Sequence, residues 1–289
     1  IKTNDGYLLL AAEAIHPPLI EDNPYLAGRA AILANVNDVY AMGGRPLAVV
    51  DTIISPEIKV SSEIMRGFKD GCSRYDVPIV GGHITATGYK PAVTVCILGR
   101  AKNILSSFNA QPGDILLHVT NLTGSFQPGF QFWNCSSHLS DADLHRDLSI
   151  LPKIAENGWC DAARDISMAG VLGTAIMLLE LSGVGAQIEL DTLTQPSGSN
   201  DRFIDWLLCF PSYGFVLSVR PWHLSNVQLA FAEHGISCSS IGKVTADYNV
   251  KLVREDEEAV LWDFDKEPFT GFSSSSDIQT HEFRNEQLN

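Results

Sequence analysis

Apolar and polar positions along the first hundred residues fall into blocks that predict strands and helices in turn. Short apolar or β-branched runs predict strands at 7–15, 47–54 and 92–101. Longer stretches between them predict helices at 25–42 and 56–74. Asn23-Pro24 is typical of a helix start and Gly43-Gly44 of a helix end, so the bounds of the first long helix are well marked.

The second half of the chain has the same mixture of elements in a less regular order. Strands are predicted at 115–120, 186–190 and 214–219, and a last strand pair from 241. Helices are predicted at 141–157, 170–181 and 227–234. Because strands and helices do not follow a strict βαβ rhythm, the pattern favours mixed α/β and α+β layers over a doubly wound sheet.

A turn signal at Gln111-Pro112-Gly113-Asp114 indicates the boundary between two domains. We therefore expect an N-terminal domain at 1–108, a C-terminal α+β domain at 109–262 and a disordered tail at 263–289, which is serine-rich from Ser273. The loop at 122–140 is long enough to suggest a functional role.

Composition and charge narrow the possible functions. The 289 residues are 45% hydrophobic and 19% charged, as in ordinary globular proteins, and no run of 18 apolar residues predicts a membrane span. A net charge of −14 makes a nucleic-acid partner a poor expectation. The first residues lack the layout of a signal peptide, which favours a cytoplasmic location, and the start at Ile1 indicates numbering that begins inside a longer chain.

The six cysteines show no CxxC spacing, so reduced thiols are the prediction. Cys135 and His138 could together bind a metal, but a structural zinc site needs four ligands and no second pair accompanies them.

Acidic residues in apolar surroundings are the first candidates for chemistry. In the helix at 25–42, Asn35 and Asp38 share a face near the C-terminal end, where an anion opposes the helix dipole. Either a divalent metal or a buried, hydrogen-bonded Asn–Asp pair explains them. Glu13 lies in the first apolar strand, and Asp165 precedes a buried helix that it could instead cap. Converging carboxylates would suit Mg²⁺ bound to a nucleotide.

Gly81-Gly82-His83 is the second candidate. Glycines let the backbone approach a phosphate, and His83 could donate to a phosphate oxygen or act as an acid or base. A plain tight turn and a structural histidine are the alternatives. The chain has neither a P-loop nor a GxGxxG motif, so ATP use would depend on a different kind of site.

These residues resemble motifs of the AIR synthase-like superfamily, which includes selenophosphate synthetase, thiamine-monophosphate kinase, a hydrogenase maturation factor and AIR synthase. The resemblance extends over roughly residues 1–255 in family order: Asn23-Pro24-Tyr25 with Gly28-Arg29, Asn37 through Ala48, Gly81-Gly82-His83, Ala163 through Ser167 with Gly170 and Gly173, Ser182 through Ala186, Pro211 through Gly214, and Ile241 through Thr245.

The resemblance implies a two-domain AIR synthase-like fold that dimerises through its N-terminal sheet, with ATP near that interface. It implies Mg²⁺ at Glu13, Asp38 and Asp165, and nucleotide binding at Asn35, Asn37 and Gly81 through His83. His83 and Asp38 are the catalytic candidates.

The chain also departs from the family. The Gly-rich segment with an Asp-Asp pair would lie upstream of Ile1, and Met168-Ala169 replaces a Gly-containing pair. The chain is closest to AIR-synthase-related proteins of unassigned substrate.

The expected function is a Mg²⁺-dependent, ATP-using enzyme that phosphorylates or activates a small molecule. The alternatives are a non-catalytic dimeric scaffold that retains the fold and a module that binds a nucleotide effector.

Overall fold

The computed structural model describes residues 1–88 and 90–272. The first hundred residues form one five-stranded sheet and three helices, in the order β1 (Lys2–Thr3), β2 (Gly6–Ala14), α1 (Pro17–Asp22), α2 (Pro24–Ala41), β3 (Arg45–Ile54), α3 (Ile58–Tyr75), β4 (Ile79–Thr85) and β5 (Ala92–Ala101). The three long strands and two long helices predicted in this half are confirmed to within a few residues.

The sheet has the strand order β1-β2-β5-β3-β4, in which only the β3–β4 pair is parallel. Its register aligns Glu13 with Val95, Val95 with Asp51, and Asp51 with Gly82. Val95 is fully buried beneath the helices. Residues directly opposite one another point to the same face of a sheet, so this row belongs to the helix-covered face.

Helix α2 is the central element of this layer. The Asn23 side chain accepts a hydrogen bond from the Leu26 amide at 3.0 Å, and Pro24 occupies the first turn, as the sequence predicted. The helix is buried on nearly all sides because it packs against the sheet, against α3 and against the second half of the chain.

Two glycines bring α2 and α3 into close contact. A Cβ atom on Gly28 would collide with the Ile64 carbonyl oxygen, and one on Gly67 with the Tyr25 carbonyl oxygen. Both obstacles are backbone atoms of the facing helix, so they cannot move aside as a flexible side chain could.

The second half forms a larger sheet with flanking helices. Its elements are β6 (Ile115–Thr120), β7 (Ser125–Phe126), β8 (Phe132–Asn134), α4 (Asp141–Leu148), α5 (Ile150–Glu156), β9 (Ala162–Asp165), α6 (Gly170–Ser182), β10 (Gly185–Glu189), α7 (Phe203–Leu208), β11 (Phe210–Pro211), β12 (Gly214–Val219), α8 (Leu224–Ala232), β13 (Ser237–Thr245), β14 (Asn249–Arg254) and β15 (Glu257–Asp263). Seven strands pair in the order β15-β14-β10-β13-β6-β12-β9, and β11-β8-β7 form a small separate sheet.

Hydrogen bonds from α2 and α3 hold the two halves together. Asn37 of α2 donates through Nδ2 to the Ser212 carbonyl at 2.7 Å. Arg74 of α3 donates to the carbonyl oxygens of Ser136 and Leu139. These bonds join elements that are distant in sequence, and they fix the cleft that lies between the two halves.

The structure corrects three expectations about local structure. Gly81-Gly82-His83 lies inside strand β4 and is not a turn. Asp165 ends strand β9, whereas α6 begins at Gly170 with Ala169 at its cap, so the alternative of a capping role for Asp165 is wrong. The tail predicted to be disordered includes the described residues 263–272, of which Phe269, Thr270 and Gly271 hydrogen-bond to α6. The remainder, 273–289, lies outside the described residues.

Within the described residues, no helix combines the length and apolar character that a membrane crossing requires. All six cysteines are free thiols, as predicted. The suggested metal pair is not formed, because Cys135 is fully buried with its Sγ 3.8 Å from the Tyr213 carbonyl, whereas His138 is exposed.

Candidate functional site

Three acidic residues from separate elements line one cleft between the two halves of the chain. Glu13 lies near the end of β2, Asp38 in the last turn of α2 and Asp165 at the end of β9. The cleft has a volume of about 950 Å³ and is otherwise lined largely by apolar side chains. The tertiary structure thus brings together three carboxylates that are widely separated in sequence.

Burial raises the pKa values of these carboxylates, and neighbouring carboxylates raise those of Glu13 and Asp38 further. Burial, followed by the charges of Asp165 and Glu13, raises the pKa of Asp38 to about 8. Burial and then Asp165 raise the pKa of Glu13, and burial raises that of Asp165. Asp38 also lies at the negative end of the α2 dipole, which further disfavours an anion. Ionised carboxylates are therefore unfavourable in the empty cleft, and a bound cation would stabilise them.

Arg164 is the single basic side chain among the described residues that line the cleft. Its guanidinium group lowers the pKa values of Glu13, Asp38 and Asp165, and so offsets part of their mutual repulsion. Sequence reasoning did not select this residue, although it directly precedes Asp165.

The donor set suits a hard divalent cation that is shared with a phosphorylated ligand. Among residues 1–88 and 90–272, no three His, Cys, Asp or Glu side chains are placed to hold a metal ion by themselves. Mg²⁺ commonly takes only one or two protein carboxylates, with phosphate oxygens and waters completing its shell. Three repelling carboxylates in one cleft fit that kind of site better than a closed structural metal site.

Asn35 and Asn37 are both buried, and neither lines the cleft among the described residues. Asn35 donates to the Ala31 carbonyl within α2, and no hydrogen bond joins it to Asp38, so the alternative of a hydrogen-bonded pair is wrong. Asn37 binds the backbone of Ser212. Each amide keeps a buried Oδ1 atom without a partner among the described residues. The contacts of the two Nδ2 atoms are structural.

Gly81 and His83 lie on the opposite face of the first sheet from the carboxylates. His83 pairs with Thr52, which pairs with Thr94, in a row adjacent to the one that contains Glu13. Successive residues of a strand point to opposite faces, so His83 faces away from the helices. Within one chain, the sheet therefore separates His83 from the cleft, whereas Gly82 shares the helix-covered face.

The face that carries His83 is apolar and exposed. Leu10, which also borders the cleft at the β2 side, is 67% exposed, and Leu98, Val50 and Ile54 on the neighbouring strands are each 37–42% exposed. No helix covers this face among the described residues. In a domain with one helix layer the uncovered face of the sheet is normally polar, so an apolar one has the character of an interface.

The two halves of the chain match two consecutive family models. Residues 1–101 match the AIR synthase related protein N-terminal domain, and residues 111–255 match the C-terminal domain of the same family. The chain belongs to this family. Its mixed α/β architecture is the AIR synthase-like fold.

This AIR synthase-related protein is similar in sequence to relatives of more than one kind. It is 43% identical over 278 residues to the uncharacterised protein sll0787 of Synechocystis, covering 96% of this chain and 85% of that protein. It is 27% identical over 197 residues to the selenide, water dikinase of Clostridioides difficile, covering 65% of this chain and 56% of that enzyme.

Among solved structures, Thermotoga maritima PurL complexed with ATP superposes with a TM-score of 0.73 at 19% identity. The match covers 87% of this chain and 42% of that one, so the chain spans less than half of the PurL chain. At this identity the likeness shows the fold alone.

Asp51 is a buried acidic residue of this AIR synthase-related protein that sequence reasoning missed. It is 6% exposed on the helix-covered face of β3, and its Oδ1 atom has no hydrogen-bond partner among the described residues. Gly82 leaves room for it, since a Cβ atom there would collide with the Asp51 carboxylate. Burial raises the pKa of Asp51. An acidic residue within the apolar run at 47–54 was the available signal.

We expect Asp51→Asn to stabilise the protein at alkaline pH. The folded state raises the pKa of Asp51, so its contribution to stability is lost as pH rises above the unfolded value near 3.8. Asn cannot ionise, so the variant should have the higher melting temperature at pH 8, and the difference should shrink towards pH 4. Thermal unfolding at both pH values tests this, with the exposed Asp22→Asn as control. An equal effect of both substitutions would contradict the assignment.

Proposed function

We propose that this protein is a Mg²⁺-dependent, ATP-using enzyme that phosphorylates or otherwise activates a small-molecule acceptor. The observation that carries the proposal is the convergence of Glu13, Asp38 and Asp165 on one cleft, with pKa values raised by burial and, for Glu13 and Asp38, also by neighbouring carboxylates. This arrangement destabilises the empty protein, and a metal–nucleotide complex would stabilise it.

Glu13, Asp38 and Asp165 would hold Mg²⁺ against the phosphates, where the ion would neutralise charge on the phosphate oxygens. Arg164 would contact a phosphate oxygen that the carboxylates cannot approach without repulsion. The apolar walls of the cleft would exclude water from the transfer and strengthen these interactions. Phosphoryl transfer depends mostly on such positioning and charge neutralisation.

Two relatives support ATP as the nucleotide that this protein uses. A PurL of the same fold is complexed with ATP, and a relative named selenide, water dikinase is 27% identical. Neither relative identifies the acceptor molecule of this protein.

The exposed apolar face of the first sheet supports a homodimer. His83 and Gly81 face away from the cleft of their own chain, onto the exposed apolar face that contains Val50 and Leu98. If two copies pack through this face, His83 can act only at the interface between them. We therefore propose that the dimer uses this sheet and that His83 acts at the interface between the two copies, on the opposite side of the sheet from the carboxylates.

A dimeric scaffold is the second candidate. The exposed sheet face favours it, because dimerisation alone would account for that surface. It does not account for three carboxylates in a cleft on the other side of the sheet.

Calorimetry of the full-length protein with a non-hydrolysable ATP analogue, with and without Mg²⁺, tests the proposal. We expect about one nucleotide per chain, and binding that requires the metal. Sedimentation of the same sample should show a dimer. Absence of nucleotide binding with Mg²⁺ would support the scaffold, and binding without the metal would contradict the role of the carboxylates.

A further inference from the structure

The segment 264–272, which follows β15, is held against α6 by a single buried carboxylate. Glu180 of α6 is 5% exposed and accepts hydrogen bonds from the backbone amides of Phe269, Thr270 and Gly271 at 2.7–3.2 Å. It also accepts one from the Thr270 hydroxyl group. These hydrogen bonds lower the pKa of Glu180 although burial opposes them. We call residues 264–272 the strap.

The strap brings an aromatic side chain to the cleft that contains the carboxylates. Gly271 and Phe272 line that cleft together with Tyr7 and Phe108. Phe272 is 70% exposed and Phe108 is 38% exposed. The three rings belong to β2, to the connection between the two sheets and to the strap, so three separate parts of the chain supply aromatic surface to one cleft.

The strap is an addition to the part of the chain that defines the family. The match to the C-terminal domain ends at residue 255, so β15 and the strap lie beyond it. Phe269 packs edge-on against Trp262 of β15, with ring centroids 5.0 Å apart. The backbone beside Phe272 is therefore fixed by Glu180 and by this aromatic pair, while no other part of residues 1–88 and 90–272 buries the Phe272 ring.

Ordering a backbone segment costs conformational entropy, and leaving a phenyl ring in water forgoes the stabilisation of its burial. A ligand that covers the ring would recover that stabilisation. Flat aromatic side chains are best covered by another flat ring, which stacks on them or meets them edge to face. The carboxylates of the same cleft lie where a phosphorylated ligand would have its charged end.

We propose that Tyr7, Phe108 and Phe272 bind the planar aromatic or heteroaromatic ring of a ligand whose charged part lies at Glu13, Asp38 and Asp165. The ring belongs either to the base of the nucleotide or to the acceptor. This inference extends the proposed function and rests on it for the charged part of the ligand. Phe272 is the specificity-determining residue, because the strap is the part of the wall outside the family match.

The first arm of the test compares ATP with tripolyphosphate, which has the phosphates without the ring, by calorimetry in the presence of Mg²⁺. If the ring is the base, Phe272→Ala should weaken ATP binding roughly tenfold and leave tripolyphosphate unchanged. Phe130→Ala is the matched control, since Phe130 is 43% exposed and does not line the cleft.

The second arm uses saturation-transfer NMR with indole as a planar probe and cyclohexanol as a saturated one, on protein saturated with Mg²⁺ and a non-hydrolysable ATP analogue. If the ring belongs to the acceptor, indole should give a signal that cyclohexanol does not. Phe272→Ala should abolish that signal and Phe130→Ala should not.

An unchanged response to Phe272→Ala in both arms overturns the ring site. A wild-type protein that binds neither ATP nor tripolyphosphate overturns the proposed function instead. In that case indole binding without nucleotide still decides whether the ring site exists.

Discussion

Asp38→Asn is expected to weaken binding of the Mg²⁺–ATP complex roughly 100-fold while leaving the fold intact. The substitution keeps the size of the side chain and removes the charge that would face the metal. Asp38 lies close to both other carboxylates of the cleft, because the charges of Asp165 and of Glu13 each raise its pKa. Loss of the Asp38 carboxylate should therefore lower the affinity for the metal more than loss of a carboxylate outside this cluster.

The same substitution should make the ligand-free protein more stable. Folding raises the pKa of Asp38 to about 8, so the folded state penalises the ionised carboxyl group that the unfolded chain carries at neutral pH. Asn removes this penalty, and a rise in melting temperature of about 5 °C at pH 7 is expected. If the variant is more stable and also binds less nucleotide, its loss of binding does not result from misfolding.

Calorimetry with a non-hydrolysable analogue measures the first effect, and thermal unfolding without ligand measures the second. Asp51→Asn is a suitable control for binding, since Asp51 is buried on the same face of the sheet but does not line the cleft. Nucleotide affinity that survives Asp38→Asn unaltered would remove Asp38 from the proposed site.

Gly67→Ala should destabilise the fold by about 3 kcal/mol. In an exposed helix, replacing Gly by Ala normally stabilises by up to about 1 kcal/mol. Here a Cβ atom would collide with the Tyr25 carbonyl oxygen and would also lie 3.0 Å from the Arg29 amide nitrogen, both of them backbone atoms of the α2 region. The helices must separate to admit it, and α2 carries both Asp38 and the contact of Asn37 with Ser212.

Urea unfolding monitored by circular dichroism measures this loss. The matched control is Gly81→Ala, because a Cβ atom at Gly81 meets only a Val50 methyl group at 3.7 Å. The control should unfold within about 0.5 kcal/mol of the wild-type protein. If both variants unfold alike, the close crossing of α2 and α3 does not limit stability.

Local pattern was sufficient wherever an element is specified by its own residues. The start of α2 follows from Asn23 and Pro24, whose cap hydrogen bond and fixed φ act within one turn. The runs at 7–15 and 92–101 are apolar enough to be strands whichever partners they have. The family motifs likewise predicted the fold, which the matches over residues 1–101 and 111–255 confirm.

Local pattern failed where pairing decides conformation. Gly81-Gly82-His83 has the composition of a turn, yet hydrogen bonds to β3 draw it into a strand. The four-residue strand β9 was missed because it is defined by its pairing with β12. Asp165 consequently ends a strand and does not cap a helix.

The sequence by itself determined which residues carry charge into apolar surroundings, and their local context was enough to make Glu13, Asp38 and Asp165 candidates. Only the tertiary structure decided that these three line one cleft and that His83 lies on the other face of the sheet. It also decided that Arg164 and Phe272 join the carboxylates there. The physical reason is that residue chemistry is local, whereas the face on which a side chain lies depends on strand register and helix packing, which involve residues far apart in sequence.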